Sequence, residues 1–252
     1  MRQPDWYKHI WSLDLKNLSW TEDTENQVDF IVKTLELKGD ERILDLACGF
    51  GRHSLSLARR GFAVTGVDIT EAYIDDAIKT AKQENLDAVF IHADIRDIEF
   101  TNEFDVVLNL ADGAIGYLEN DEENLKIFDV ISNALKAGGK HFMDIVSADH
   151  AERYFPKKAW DAGEKSLSLA QFEWDPATRK WAYGGWAFEY GKPAEKPTDL
   201  MENACEYRLY SLDELRDILV QRGMSVVSTF ADYYGKKSAH EEFQLMVYSQ
   251  KR

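Results

Sequence analysis

Residues 43–54 read ILDLACGFGRHS, an apolar run that ends in an acid, a cysteine and two glycines. The run from Ile43 to Leu46 has the length of a short buried strand. Gly49 and Gly51 then leave little side-chain bulk where the chain turns toward a helix. A ligand can approach such a backbone closely, and the N-terminus of the helix behind it offers free N–H groups. The same residues also fit an ordinary tight strand–helix turn. A dinucleotide-binding loop calls for a third glycine, or an alanine, where Ser54 stands, so a pyrophosphate ligand is disfavoured.

Outward from this loop, strand and helix patterns alternate. TEDTENQVDFIVKTLEL (21–37) puts Val28, Ile31, Val32 and Leu35 on one helical face, and Gly39 stops it. RILDLA (42–47) is a strand, and GRHSLSLARRG (51–61) is a helix closed by Gly61. FAVTGVD (62–68), AVFIHAD (88–94) and FDVVLNL (104–110) are further strands, with a helix at 70–85 between the first two. DEENLKIFDVISNALKAGG (121–139) reads as a helix with a Gly-Gly stop, and KHFMDIV (140–146) as the fifth strand. Near-continuous apolar strands joined through helices predict a parallel sheet covered on both faces. The ligand site then lies at the carboxyl ends of the strands, beside the first one.

The pattern changes after residue 147. KSLSLAQFEWDPATRKWAYGGWAFEYGKP (165–193) reads as two strands around a turn at DPATRK, and LMENACEYRLY (200–210) as a third. These residues predict an antiparallel β insertion at 148–210 within a core formed by 1–147 and 211–252, with GKPAEKPTDL (191–200) as its most loop-like part. Ser211 and Glu214 are spaced as a capping box for the next helix. SVVSTFADYY (225–234) and EFQLMVYSQK (242–251) form a final antiparallel pair.

Composition narrows the partners. The 30 basic and 45 acidic residues give a net charge of −15, which repels phosphate backbones and anionic lipid surfaces. Nucleic acid and membrane are therefore not expected as partners. Cys48 and Cys205 form no metal-binding or redox spacing, so no metal is expected. MRQPDWYKHIW lacks the pattern of a signal peptide, and no apolar stretch approaches the roughly 18 residues of a membrane span. A soluble cytoplasmic protein, monomeric or homodimeric, is the expectation.

Two later acids strengthen the loop. Asp68 ends the second strand 17 residues after Gly51, at the lip of the sheet, where a carboxylate can accept from two ribose hydroxyls. It could instead cap the helix that follows. Asp94 ends the third strand in the same way and could accept from an adenine amine, beside the Ile95 N–H.

Together these motifs resemble the class I S-adenosylmethionine-dependent methyltransferase family over nearly the whole chain. ILDLACGFG is similar to its first motif, VTGVD to its ribose-binding strand end, HADIRDI to its adenine segment and LKAGGKHFMDI to its fifth strand. One departure is Ala47, where that motif has a glycine. The resemblance implies a seven-stranded Rossmann-like sheet of order 3-2-1-4-5-7-6 with helices on both faces, and S-adenosyl-L-methionine as cofactor. It places Asp45, Ala47, Gly49 and Gly51 near the methionine part, Asp68 and Ile69 at the ribose, Asp94 and Ile95 at the adenine, and the Leu110 backbone at the cofactor's amino group.

Methyl transfer from a sulfonium needs mainly alignment, and a base only where the acceptor must lose a proton. Asp112 and Tyr117 after the fourth strand, and Asp144 and His150 after the fifth, are the candidates to orient the acceptor or act as base. Trp6, Tyr7, Trp11 and Trp20, and Trp160, Trp174, Trp181 and Trp186 in the insertion, either pack the insertion or cover a small-molecule acceptor. The expected function is methyl transfer to a nitrogen or oxygen of a small molecule. The alternatives are a NAD-dependent oxidoreductase and a non-catalytic cofactor-binding regulatory protein.

Overall fold

The computed structural model describes residues 5–193, 199–202 and 204–252, so residues 194–198 of the loop-like segment lie outside the described residues. Helix α1 (Thr24–Thr34) is followed by β1 (Arg42–Leu46), α2 (Arg52–Arg59), β2 (Ala63–Asp68), α3 (Glu71–Glu84), β3 (Ala88–His92) and β4 (Phe104–Asn109). Then come α4 (Asp121–Ala134), β5 (Leu135–Val146), α5 (Ala148–Tyr154), β6 (Lys157–Ala162), β7 (Ser166–Asp175), β8 (Lys180–Glu189) and β9 (Cys205–Arg208). Helix α6 (Leu212–Val220) and strands β10 (Met224–Phe230) and β11 (Gln244–Lys251) end the chain.

Among the described residues, seven strands form one sheet in the order β3-β2-β1-β4-β5-β11-β10. The first five are parallel, and β11 runs antiparallel to both β5 and β10. Counted without the insertion, this is the expected 3-2-1-4-5-7-6. Successive side chains of a strand point to opposite faces, so the apolar strands feed two cores. Leu44, Leu46, Val107 and Met143 pack with Phe128 and Ile131 of α4 and Leu215 of α6. Ile43, Val106, Leu108 and Phe142 pack on the other face with Val28 and Ile31 of α1 and Leu57 of α2. The chain runs outward from β1 to β3 and returns through β4, which opens a crevice at the carboxyl ends on either side of β1.

Two expectations need correction. Helix α4 stops at Ala134, and KAGG belongs to β5. Phe104 pairs with Leu135 and Val106 with Lys140, so residues 136–139 form a bulge, with Gly138 supplying a φ of +75°. The glycine pair turns a corner in a strand and does not end a helix. The segment after 147 begins with α5, whose first turn is capped by the Ser147 hydroxyl accepting from the His150 N–H. The second sheet then has four strands, β6-β7-β8-β9, where three were expected. The missed strand, KKAWDA, is an edge strand with alternating exposure, and its charged residues hide the apolar signal. The capping box at Ser211 and Glu214 is present.

The second sheet is fastened by aromatic packing. Phe172 and Trp181 stack with centroids 5.2 Å apart, and Phe155, beyond α5, stacks on both. Phe243, just before β11, closes the cluster from the main sheet.

Candidate functional site

The turn between β1 and α2 holds three left-handed residues: Ala47 (φ 55°), Gly49 (φ 57°) and Gly51 (φ 75°). The two glycines serve different ends. A Cβ on Gly51 would lie 2.9 Å from Phe90 and 3.1 Å from Ala77, so glycine lets α2 sit against β3 and α3. A Cβ on Gly49 would meet nothing nearer than a Tyr73 ring carbon at 4.0 Å, and would fill part of the pocket that Gly49 lines. That pocket lies at the carboxyl ends of the parallel strands and spans about 940 Å³, including the space open to solvent at its mouth.

Its floor carries the expected carboxylates Asp45, Asp68 and Asp94. Asp45 is 1% exposed and accepts a 2.5 Å hydrogen bond from the Ser54 hydroxyl. Burial pushes its carboxyl up to about 7, against the opposing pull of that bond. The serine that breaks the dinucleotide pattern is thus the partner that holds Asp45. Asp68 ties two elements together: one carboxylate oxygen accepts from the Gly49 N–H and the other from the Thr70 N–H, each at 2.8 Å. Burial raises its carboxyl above the ordinary range, while both N–H bonds oppose the rise.

Asp94 accepts from the Arg96 backbone N–H at 2.9 Å and from the Arg96 guanidinium at 3.0 and 2.6 Å. Burial would raise its carboxyl, but Arg96 outweighs that and holds it low. Arg96 also binds Glu119 and Glu123, and Glu119 accepts from the Tyr7 hydroxyl at 2.9 Å. Ala47, Ile69, Ile95 and Leu110 complete this side of the wall. Of the expected cofactor residues, Gly51 stands behind the wall.

The far side is aromatic. Tyr7, Trp11, Leu15 and Trp20, from the segment before α1, line the pocket together with Tyr73 and Tyr117. This segment is pinned by Tyr73 donating to the Ser12 carbonyl at 2.9 Å and by Trp6 donating to the Glu206 carbonyl at 3.1 Å. Trp11 lies nearly parallel to Tyr117, with centroids 6.3 Å apart. Arg52 reaches the wall, but its guanidinium is spent on Thr24 at 2.8 Å and Gln27 at 2.5 Å, beneath the Trp20 ring. His53, also on the wall, lies 2.8 Å from the same Gln27 oxygen, and burial holds it well below its usual range. Sequence reasoning named the aromatic residues only as a group. The flat 3-10 turns that bring them over the pocket have no periodicity to find, and Leu15, Phe50 and Arg52 carried no signal.

The loop after β4 is unusual: Ala111, Asp112, Gly113 and Ala114 are all left-handed. Such backbone costs about 1–2 kcal/mol per non-glycine residue, so it must be held by its surroundings. Asp112 N–H donates to the Asp144 carbonyl at 2.8 Å, the Asn109 amide donates to the Gly113 carbonyl at 3.0 Å, and Arg208 N–H donates to the Gly116 carbonyl at 2.9 Å. The Asp112 carboxylate accepts from Tyr207 at 2.9 Å, Tyr117 at 3.3 Å and the Val146 N–H at 3.2 Å. Burial, with Asp144 nearby, pushes it up to about 6.

Of the candidate acceptor-side residues, Tyr117 stands on the wall and Asp112 directly behind it. Asp144 accepts from Tyr233 at 2.7 Å and from Gln244. His150 is elsewhere: its ring packs among Tyr154, Phe155 and Phe243, and its Nδ1 donates to the Glu241 carbonyl at 2.7 Å. The described wall includes no residue of 148–210. The segment before α1 covers the pocket, and the insertion reaches the site from behind, through Tyr207.

Residues 43–139, from β1 into β5, match the model of a methyltransferase domain family. The whole fold superposes on an S-adenosylmethionine-dependent methyltransferase from Clostridium acetobutylicum ATCC 824. The TM-score is 0.76 and the identity 19%, over 94% of this chain and 96% of that one. Residues 43–139 thus carry a methyltransferase domain, on a fold shared with S-adenosylmethionine-dependent methyltransferases. A sugar N-methyltransferase, KedS8 from Streptoalloteichus sp ATCC 53650, shares the methyltransferase fold at a TM-score of 0.67 and 16% identity, over 96% and 93% of the two chains. YqeM of Bacillus subtilis (strain 168), itself assigned only provisionally as a methyltransferase, is 25% identical over 88% of both chains. Shorter matches reach methyltransferases of tRNA and ribosomal RNA uracil, over a third of this chain or less and a fifth or less of theirs.

The residues present fit the methyltransferase cofactor. An open cradle at Gly49 adjoins three carboxylates, Asp45, Asp68 and Asp94, that line one pocket.

Proposed function

We propose that this methyltransferase alkylates a nitrogen or oxygen of a small-molecule acceptor, working as a cytoplasmic monomer or homodimer. The observation that carries this reading is the aromatic lining of the pocket, where Tyr7, Trp11, Trp20 and Tyr117 share one pocket with the three carboxylates. Aromatic faces together with carboxylates favour an apolar or cationic guest and offer nothing to a phosphate. The net charge of −15 adds a field that repels RNA. The fold shared with a sugar N-methyltransferase favours nitrogen.

When bound, the cofactor supplies a methyl group activated by a sulfonium. This chain's residues do the rest. Asp68 is the acceptor for the ribose hydroxyls, positioned by its grip on Gly49 and Thr70. Asp94 and the Ile95 N–H, on the same pocket wall, would hold the adenine, and Ala47, Gly49 and the Leu110 backbone would hold the amino-acid tail. Asp45, locked by Ser54, would stand beside that tail. The segment before α1 excludes water and presses the acceptor toward the methyl group, which supplies most of the rate by alignment.

The test is incubation with methyl-labelled cofactor and either a metabolite extract or total RNA. Label in a low-mass product supports the proposal. Label in RNA, or in neither, contradicts it.

A further inference from the structure

From the second sheet the Tyr207 hydroxyl reaches toward the site, 2.9 Å from the Asp112 carboxylate. That carboxylate sits behind the wall and meets the pocket through the Tyr117 hydroxyl, which shares the same oxygen. The backbone through Asp112 is left-handed, and β9 fixes the loop again through Arg208 and Gly116. Strain of this kind persists where a site needs a group held in one place.

We propose that Tyr117 and Asp112 form a proton-accepting pair for the methyl acceptor, with Tyr207 as the positioning residue that sets Asp112. The inference rests on the methyl-transfer reading above. In the step, the acceptor's lone pair forms a bond to the methyl carbon as the carbon–sulfur bond breaks, and sulfur keeps its electron pair. The proton leaving the acceptor nitrogen or oxygen passes to the Tyr117 oxygen while the Tyr117 proton passes to Asp112. The carboxylate ends neutral, the sulfonium becomes a thioether, and charge and atoms balance. Solvent takes the proton from Asp112 once product leaves.

The groups facing Asp112 are Tyr117 on its own loop, Tyr207 on β9 and Asp144 on β5, with Cys205 of β9 near Tyr117. Asp144 disfavours ionisation and the two phenols favour it. With the Asp112 carboxyl near 6, the pair accepts a proton above that pH and loses the ability below it.

The test uses sinefungin, in which a carbon bearing an amino group replaces the methyl-bearing sulfur, with S-adenosylhomocysteine as the control. Calorimetry across pH 5 to 8 should show sinefungin binding about tenfold tighter at high pH, with a midpoint near 6. In Asp112→Asn that dependence should vanish while S-adenosylhomocysteine binds as in the parent. In Tyr207→Phe, which keeps the carboxylate and removes a donor, the midpoint should move to higher pH. A sinefungin profile unchanged in both variants would overturn the proton-accepting pair. Failure of the parent to bind S-adenosylhomocysteine would instead overturn the methyl-transfer reading beneath it.

Discussion

Gly116→Ala lowers the unfolding free energy by about 3 kcal/mol, far more than an alanine costs at most left-handed glycines. Gly116 has a φ of +86°, and a Cβ there would sit 1.9 Å from the Arg208 carbonyl oxygen. That neighbour is backbone and has no rotamer to yield. Either the loop after β4 or strand β9 must move, and the Arg208 N–H to Gly116 bond breaks with it. Gly223→Ala is the control: its φ is +70°, but nothing lies within 4 Å of the new methyl group. Only the left-handed cost of about 1–2 kcal/mol applies there. Urea unfolding of the two variants measures the difference. Equal losses would show that the contact between β9 and the loop carries no energy, and would also remove the basis for Tyr207 positioning Asp112.

Asp68→Ala weakens S-adenosylmethionine binding by roughly a hundredfold, near 3 kcal/mol. Two losses combine. The ribose loses a charged acceptor, and the N–H groups of Gly49 and Thr70 lose the carboxylate that holds the glycine loop against α3. Asp68→Asn should be little better, because the amide nitrogen would face one of those donors with a donor of its own. Calorimetric titration measures both. A dissociation constant within threefold of the parent in Asp68→Ala would remove Asp68 from the cofactor site.

The fold could be read early because its signals are local. Gly39, Gly51 and Gly61 punctuate apolar runs whose length and period distinguish strand from helix, and the parallel order follows from the alternation. The carboxylate floor of the pocket could be read for the same reason, since Asp45, Asp68 and Asp94 each stand at or just beyond a strand end. The missed features depend on distance in sequence or on mixed signals. Strand β6 carries charges because it is an edge, and the glycine pair at 138–139 suits a bulge as well as a helix stop. Tyr207 reaches Asp112 across 95 residues, and Tyr7 reaches Glu119 across 112, so neither contact has a local trace. The bond between Asp94 and Arg96 did have one: an acid two residues before an arginine, at the start of a turn. Ser54 carries the opposite lesson. It counted against a dinucleotide, and the structure gives it a positive task in fixing Asp45.

The most direct measurement is a pair of calorimetric titrations of the unmodified chain, one with S-adenosylmethionine and one with NAD. Saturable binding of S-adenosylmethionine at one site per chain, with no heat from NAD, is the predicted result. Saturable binding of NAD, with none of S-adenosylmethionine, would contradict it.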